Sequence, residues 1–110
     1  MRRGAIFTVS ARGPYTGKPR PVVIVQDDQR FYAAGSVTVC PLATNPLDAP
    51  LTRVPIVPSV VNGLDQPSKL MVDKVMTLPR GGLRECLGGL PDDDLVRLKR
   101  AVIVFPGLVD

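Results

Sequence analysis

The residues best suited to chemistry in this 110-residue chain are the cations of Gly17-Lys18-Pro19-Arg20-Pro21, which run directly into Val22-Val23-Ile24-Val25-Gln26. A guanidinium can hold a phosphate through two parallel N–H bonds and stabilise charge that develops on it in a transition state. The prolines on either side of Arg20 restrict the backbone and so help to aim it. The alternative is an ordinary surface arginine or one half of an ion pair. Histidine is absent from the sequence. That excludes Ser-His-Asp and Cys-His nucleophilic sites, histidine-pair ribonuclease chemistry and most zinc sites. Any catalysis here must use Arg, Lys, Asp, Glu, Tyr, Ser, Thr or backbone groups.

The charge is unevenly placed. The formal net charge is +4, no acidic residue precedes Asp27, and Arg2, Arg3, Arg12, Lys18 and Arg20 are all basic. A face of one sign attracts a polyanion, although scatter over a solvated surface is the competing explanation. Acid is concentrated instead at Asp92-Asp93-Asp94, which with Pro91 makes a favourable helix start; a metal site there is the lesser reading. Cys40 and Cys86 are too few for a disulfide framework or a metal-ligand set, and Cys40, inside an apolar run, reads as a small buried hydrophobe. No metal and no cofactor is expected. Met1-Arg2-Arg3-Gly4 is followed by no signal-type apolar stretch, and no segment has bilayer length, so the expected compartment is the cytoplasm.

The elements that must position these residues are short. The length suits one domain over residues 1–110, and the 12 prolines and 10 glycines fall between apolar runs, as in strands joined by tight turns. Strands are expected at Ala5 to Val9, at Val22 to Gln26 (buried on both faces, with Pro19 and Pro21 marking its start), and at Ser36 to Cys40, stopped by Pro41. Thr52 to Val57 reads as an edge strand because of Pro55, and Asn62-Gly63 as a turn. Ser68 to Thr77 reads as one long strand, and Glu85-Cys86-Leu87 as a short one. Residues 27–35 form a connection with room for one helical turn. Leu95, Leu98, Val102 and Phe105 then recur at helical spacing up to Pro106-Gly107. Short strands followed by one terminal helix predict a mostly β fold, a small barrel with the helix packed on its side.

Several stretches, in order, resemble the MazF/PemK family of toxins. They are Arg3-Gly4-x-Ile6, Lys18-x-Arg20-Pro21-Val22-Val23-Ile24-Val25-Gln26, Cys40-Pro41-Leu42, Asn62-Gly63-Leu64 with Pro67-Ser68, and Met71-Val72-Asp73-Lys74 with Thr77-Leu78-Pro79. Each is weak alone; their order and spacing over essentially the whole chain are specific. The resemblance implies an SH3-like barrel of the CcdB/Kid/MazF type with a C-terminal helix. It also implies a homodimer, neutralised by a cognate antitoxin protein, that acts as a sequence-selective endoribonuclease on single-stranded mRNA without a metal. In that scheme the RNA 2′-hydroxyl attacks the adjacent phosphate, leaving a 2′,3′-cyclic phosphate and a 5′-hydroxyl. Arg20 corresponds to the family's arginine at the strand start, with a role in phosphate charge stabilisation and proton transfer.

One departure touches the chemistry directly. The family carries a threonine after the Cys-Pro-Leu-like strand end, whereas this chain reads Cys40-Pro41-Leu42-Ala43-Thr44. Ala43 has no hydroxyl to place on the phosphate. Thr44 can replace it only if the strand end slips by one residue, because neighbouring side chains point to opposite faces. Weakened or lost cleavage, down to a catalytically silent RNA binder, is therefore expected. Ala5 is a second departure, at a position where relatives carry an acid. Gln26, Asp27, Ser68 and Lys69 are further candidates for contact with RNA, together with Lys18 and Pro21 beside Arg20; Ser68 after Pro67 reads equally as a turn residue. Tyr15, in a loop resembling the one that covers the RNA groove in relatives, can stack on a base or have no role. Two other functions compete. A protein-binding gyrase poison of the CcdB type lacks the Arg-Pro phosphate motif present here. A peptide-binding SH3-like module needs an aromatic groove, for which 5% aromatic residues and no Trp are a poor supply.

Overall fold

The computed structural model describes residues 2–10, 20–26, 35–44 and 53–107, the side chains of residues 53 and 104–107 excepted. Among them are seven strands: β1 Ala5–Val9, β2 Arg20–Ile24, β3 Ser36–Ala43, β4 Arg53–Ile56, β5 Ser68–Met71, β6 Met76–Pro79 and β7 Leu83–Gly89. One helix, α1, covers Asp92–Gly107. The expected helical turn within residues 27–35 and the Phe105 side chain lie outside the described residues. Among the described residues no helix is long and apolar enough to cross a membrane.

The sheet is antiparallel throughout, in the order β4-β5-β3-β2-β1-β7, with β6 also paired to β3. Its connectivity forces it to curl. β6 and β7 flank opposite edges of the β3-β2-β1 ribbon, which in a flat sheet would hold them about 19 Å apart, at roughly 4.8 Å per strand. Only the 3-10 turn Arg80–Gly82 joins them, and at roughly 2 Å of rise per residue it cannot bridge that gap. A small barrel is the geometric solution, as expected.

Strand alternation then divides the core in two. Val22, Ile24, Val37 and Val39 fill the barrel with Phe7, Val9, Leu78 and Leu83, and Ala5 packs against this group. Val23, Cys40, Leu42, Leu70 and Ile6 face the opposite way, onto Leu95, Leu98, Ala101 and Val102 of α1. This is why Val22, Val23 and Ile24 are all buried, with no polar alternation to report a solvent face. Cys40 is fully buried and Cys86 exposed, both as free thiols. The helix starts on Asp92, Asp93 and Asp94, and Asp94 accepts a 3.1 Å ion pair from Arg97.

Three sequence expectations need correction. The strand expected at Val22 to Gln26 begins two residues earlier, at Arg20, so Pro21 is inside β2 rather than before it. The strand expected to stop at Pro41 runs on to Ala43. The strand expected over Ser68 to Thr77 is broken by a 3-10 turn at Val72–Lys74. The last two share a cause. β6 pairs with β3 from Ser36 to Val39, and β5 pairs with it at Leu42 and Ala43, with a three-residue jump in register between them. Thr38 turns its N–H and C=O toward β2, accepting from Val25 N–H at 3.1 Å. Backbone alternation therefore points the nitrogen of Pro41 at the other edge, where β5 and β6 part. No donor is needed there, so the strand passes through proline.

Candidate functional site at the barrel mouth

The site is built from one cross-strand row. Arg20 opens β2 opposite Val9 of β1. The β2–β3 register runs Ile24↔Val39, Val23↔Cys40, Val22↔Pro41, and continued to the strand ends it sets Ala43 opposite Arg20. Ala43 in turn pairs with Lys69 of β5, and Lys69 with Pro55 of β4. Residues opposite one another in an antiparallel sheet share a face, so Arg20, Ala43 and Lys69 project from the same side of it. That side is the barrel interior, since Arg20 alternates with Val22 and Ile24, and the row lies at its open end.

Arg20 is exposed, and among the described residues no carboxylate pairs with it. Ala43 and Lys69 are half-buried. Thr44 lies one residue beyond β3 and is exposed, on the parity of Leu42 rather than of Ala43. Continued in register, the strands therefore put the methyl of Ala43, not the hydroxyl of Thr44, on the face that Arg20 shares.

The other candidates separate. Pro21 is half-buried opposite Thr8, next to Arg20 but alternating to the other face. Ser68 is buried, and its hydroxyl donates to Gln66 O at 3.0 Å, which is the turn role. Gln26 lies past the far end of β2, about 20 Å along the strand direction from Arg20 at roughly 3.3 Å per residue. Its Oε1 accepts the Thr38 N–H at 2.6 Å, extending the β2–β3 ladder. The structure does not bring Gln26 or the Ser68 hydroxyl to Arg20. Tyr15, Lys18 and Asp27 lie outside the described residues.

Two residues that the sequence did not single out stand beside Arg20. A groove of about 520 Å³ opens there, lined by Val9, Ser10, Arg20, Leu78, Pro79 and Arg84 among others. Arg84 Nε donates to Ser10 Oγ at 3.0 Å. The β1–β7 pairing, which sets Val9 opposite Leu83, makes this contact across 74 positions of sequence. The only local signal was a cation just after Gly81-Gly82. Among the described residues no group of His, Cys, Asp or Glu is placed to hold a metal ion.

A curled antiparallel sheet with a side-packed terminal helix and a cationic mouth defines a class that comparison with other proteins makes specific. Residues 2–105 match the family described as the PemK-like, MazF-like toxins of type II toxin–antitoxin systems, and the chain belongs to that family. Over 108 residues it is 55% identical to a Mycolicibacterium smegmatis protein named "Probable endoribonuclease MazF", covering 98% of each chain. The solved Mycobacterium tuberculosis toxin MazF-mt6 superposes with a TM-score of 0.71 at 30% identity, over 89% of this chain and 91% of that one. A mycobacterial endoribonuclease solved in complex with its cognate antitoxin gives a TM-score of 0.75 over 97% of this chain and 93% of its own. At 20% identity that likeness is one of fold. The expected CcdB/Kid/MazF type of fold is therefore present, and membership of this family favours the RNA-cleaving toxin over the gyrase poison and the peptide-binding module.

Proposed function

We propose that this toxin is an endoribonuclease that cleaves single-stranded mRNA selectively and without a metal, at a rate limited by Ala43. The observation that carries the reading is the row Arg20–Ala43–Lys69 at the barrel mouth. In the proposed step the RNA 2′-hydroxyl gives up its proton to solvent as its oxygen attacks the adjacent phosphorus in line, and the P–O5′ bond breaks. The products are a 2′,3′-cyclic phosphate and a 5′-oxygen that takes up a proton. Arg20 binds the non-bridging oxygens, where charge accumulates, and takes the role in proton transfer that the family resemblance assigns to it. Lys69 supplies a second positive charge in the same row. These cations can stabilise a phosphorane without a Lewis acid.

Ala43 removes one hydrogen bond to that phosphate. Losing a single transition-state donor costs about 10²–10³ in rate, so a slow enzyme is the expected result. Thr44, on the opposite parity, does not make up the difference. We propose further that the chain is one domain acting in the cytoplasm as a homodimer. Its basic face complements an acidic antitoxin segment that folds as it binds.

The test incubates purified protein with a defined single-stranded RNA in EDTA, beside Arg20→Ala and Ala43→Thr variants. Cleavage that survives chelation, vanishes with Arg20→Ala and rises with Ala43→Thr supports the reading. Absence of cleavage by any variant, in a preparation that traps gyrase, overturns it.

A further inference from the structure

The groove at the barrel mouth has two guanidinium groups on its rim, and the mechanism above uses only Arg20. Arg84 is exposed on β7, and its Nε–H is held by Ser10 Oγ at 3.0 Å. That bond takes one of the five guanidinium donors and leaves the four on the two Nη nitrogens for other partners. The groove walls between the two arginines are apolar, formed by Val9, Leu78 and Pro79, and no acidic residue lines them among the described residues. Low-dielectric walls beneath cations of one sign concentrate positive potential at the opening. Its volume, about 520 Å³, lies in the range of sites that hold one small ligand, roughly 300–1,000 Å³, which is room for the one or two nucleotides of a strand that pass between the two arginines.

We infer that Arg84, aimed by Ser10, is a second phosphate anchor, which takes the phosphate of a nucleotide next to the one held by Arg20. Arg84 is a binding residue and plays no part in bond breaking; its contribution is to fix the register of the strand in the groove. Ser10 and Arg20 are the residues at which β1 and β2 leave and re-enter the barrel mouth, so both anchors sit on one rim. This inference rests on the RNA-cleaving reading.

The test uses the full chain and a single-stranded RNA blocked against cleavage by 2′-deoxy substitution, so that binding is read apart from chemistry. For a single strand, each phosphate neutralised contributes about 0.7 to the slope of log K against log salt. Arg84→Ala is expected to weaken affinity several-fold at low salt and to flatten that slope by about 0.7. Arg84→Gln, which drops the charge but keeps a polar side chain, gives the same change and guards against a disrupted fold. Arg84→Lys retains the slope. Ser10→Ala weakens binding while leaving the slope unchanged, because the charge remains but is no longer held in place. If Arg84→Ala and Arg84→Gln leave the slope as it is, even with a lower melting temperature, Arg84 is only a tie between β1 and β7 and the inference is overturned. If the unsubstituted protein shows no salt-dependent RNA binding, the RNA-cleaving reading falls with it.

Discussion

Continued beyond its last pair, Val22↔Pro41, the β2–β3 register sets Ala43 opposite Arg20, with Val9 paired to Arg20 on one side and Lys69 to Ala43 on the other. Ala43 is half-buried, and on that register its methyl lies on the same sheet face as the guanidinium. A threonine there suits a strand backbone and adds a hydroxyl on the correct face. Ala43→Thr should therefore raise RNA cleavage by about 10²–10³-fold, the usual value of one transition-state donor. Thr44→Ala should leave the rate unchanged. Single-turnover assays on one oligonucleotide compare the two; a larger effect at Thr44 would show that the strand end is shifted in the working enzyme.

Removing the guanidinium should separate activity from stability. Arg20 is exposed at the start of its strand, so Arg20→Ala should shift the urea midpoint by no more than about 0.5 kcal/mol of stability. Cleavage should fall by at least about 10²-fold. Arg20→Lys keeps the charge without the planar fork and should fall in between. Parallel rate and denaturation measurements check all three.

The turn after β4 should be a strong point of the fold rather than of the chemistry. Asn62 is fully buried. Its Oδ1 accepts from Ser59 N–H at 2.9 Å and Leu64 N–H at 3.0 Å, while its Nδ2 donates to Val57 O at 2.8 Å. Asn62→Ala leaves these backbone groups unpaired and should cost about 2–4 kcal/mol in equilibrium unfolding. Gly63 has φ +70°, and a Cβ there would collide with the Leu87 carbonyl oxygen. Gly63→Ala should destabilise at least as much, a difference that a melting curve reads directly.

Gln26 separates a structural role from an RNA contact. Gln26→Ala removes the acceptor for Thr38 N–H and should lower stability by about 1 kcal/mol. RNA affinity and its salt dependence should stay as they are. A reduced affinity with unchanged stability would return Gln26 to the RNA-binding surface.

The elements read best from sequence were those whose side chains carry the period themselves. Ala5 to Val9 matches β1 to the residue, Asn62-Gly63 makes its turn, and the spacing of Leu95 and Leu98 places the buried face of α1. The breaks were harder. Leu70 and Val72 continue an alternating pattern, and nothing local marks the 3-10 turn that begins at Val72. That turn exists because β3 has two partners along one edge, a fact of pairing and not of residue type. Pro41 misled for the same reason: whether a missing N–H stops a strand depends on what stands across from it.

The sequence by itself determined the chemistry available. Without histidine it excluded imidazole chemistry, it set cations ahead of a buried strand, and its resemblance to the MazF/PemK family pointed to alanine where a threonine is expected. Only the tertiary structure decided which groups meet. Register put Ala43 rather than Thr44 on the sheet face that Arg20 shares, sent the Gln26 amide to Thr38, and carried Arg84 across 74 positions to Ser10. Side-chain type is a local property that can be read residue by residue. Strand register and barrel closure are set by contacts far apart in the chain, and those contacts exist only once the sheet has curled.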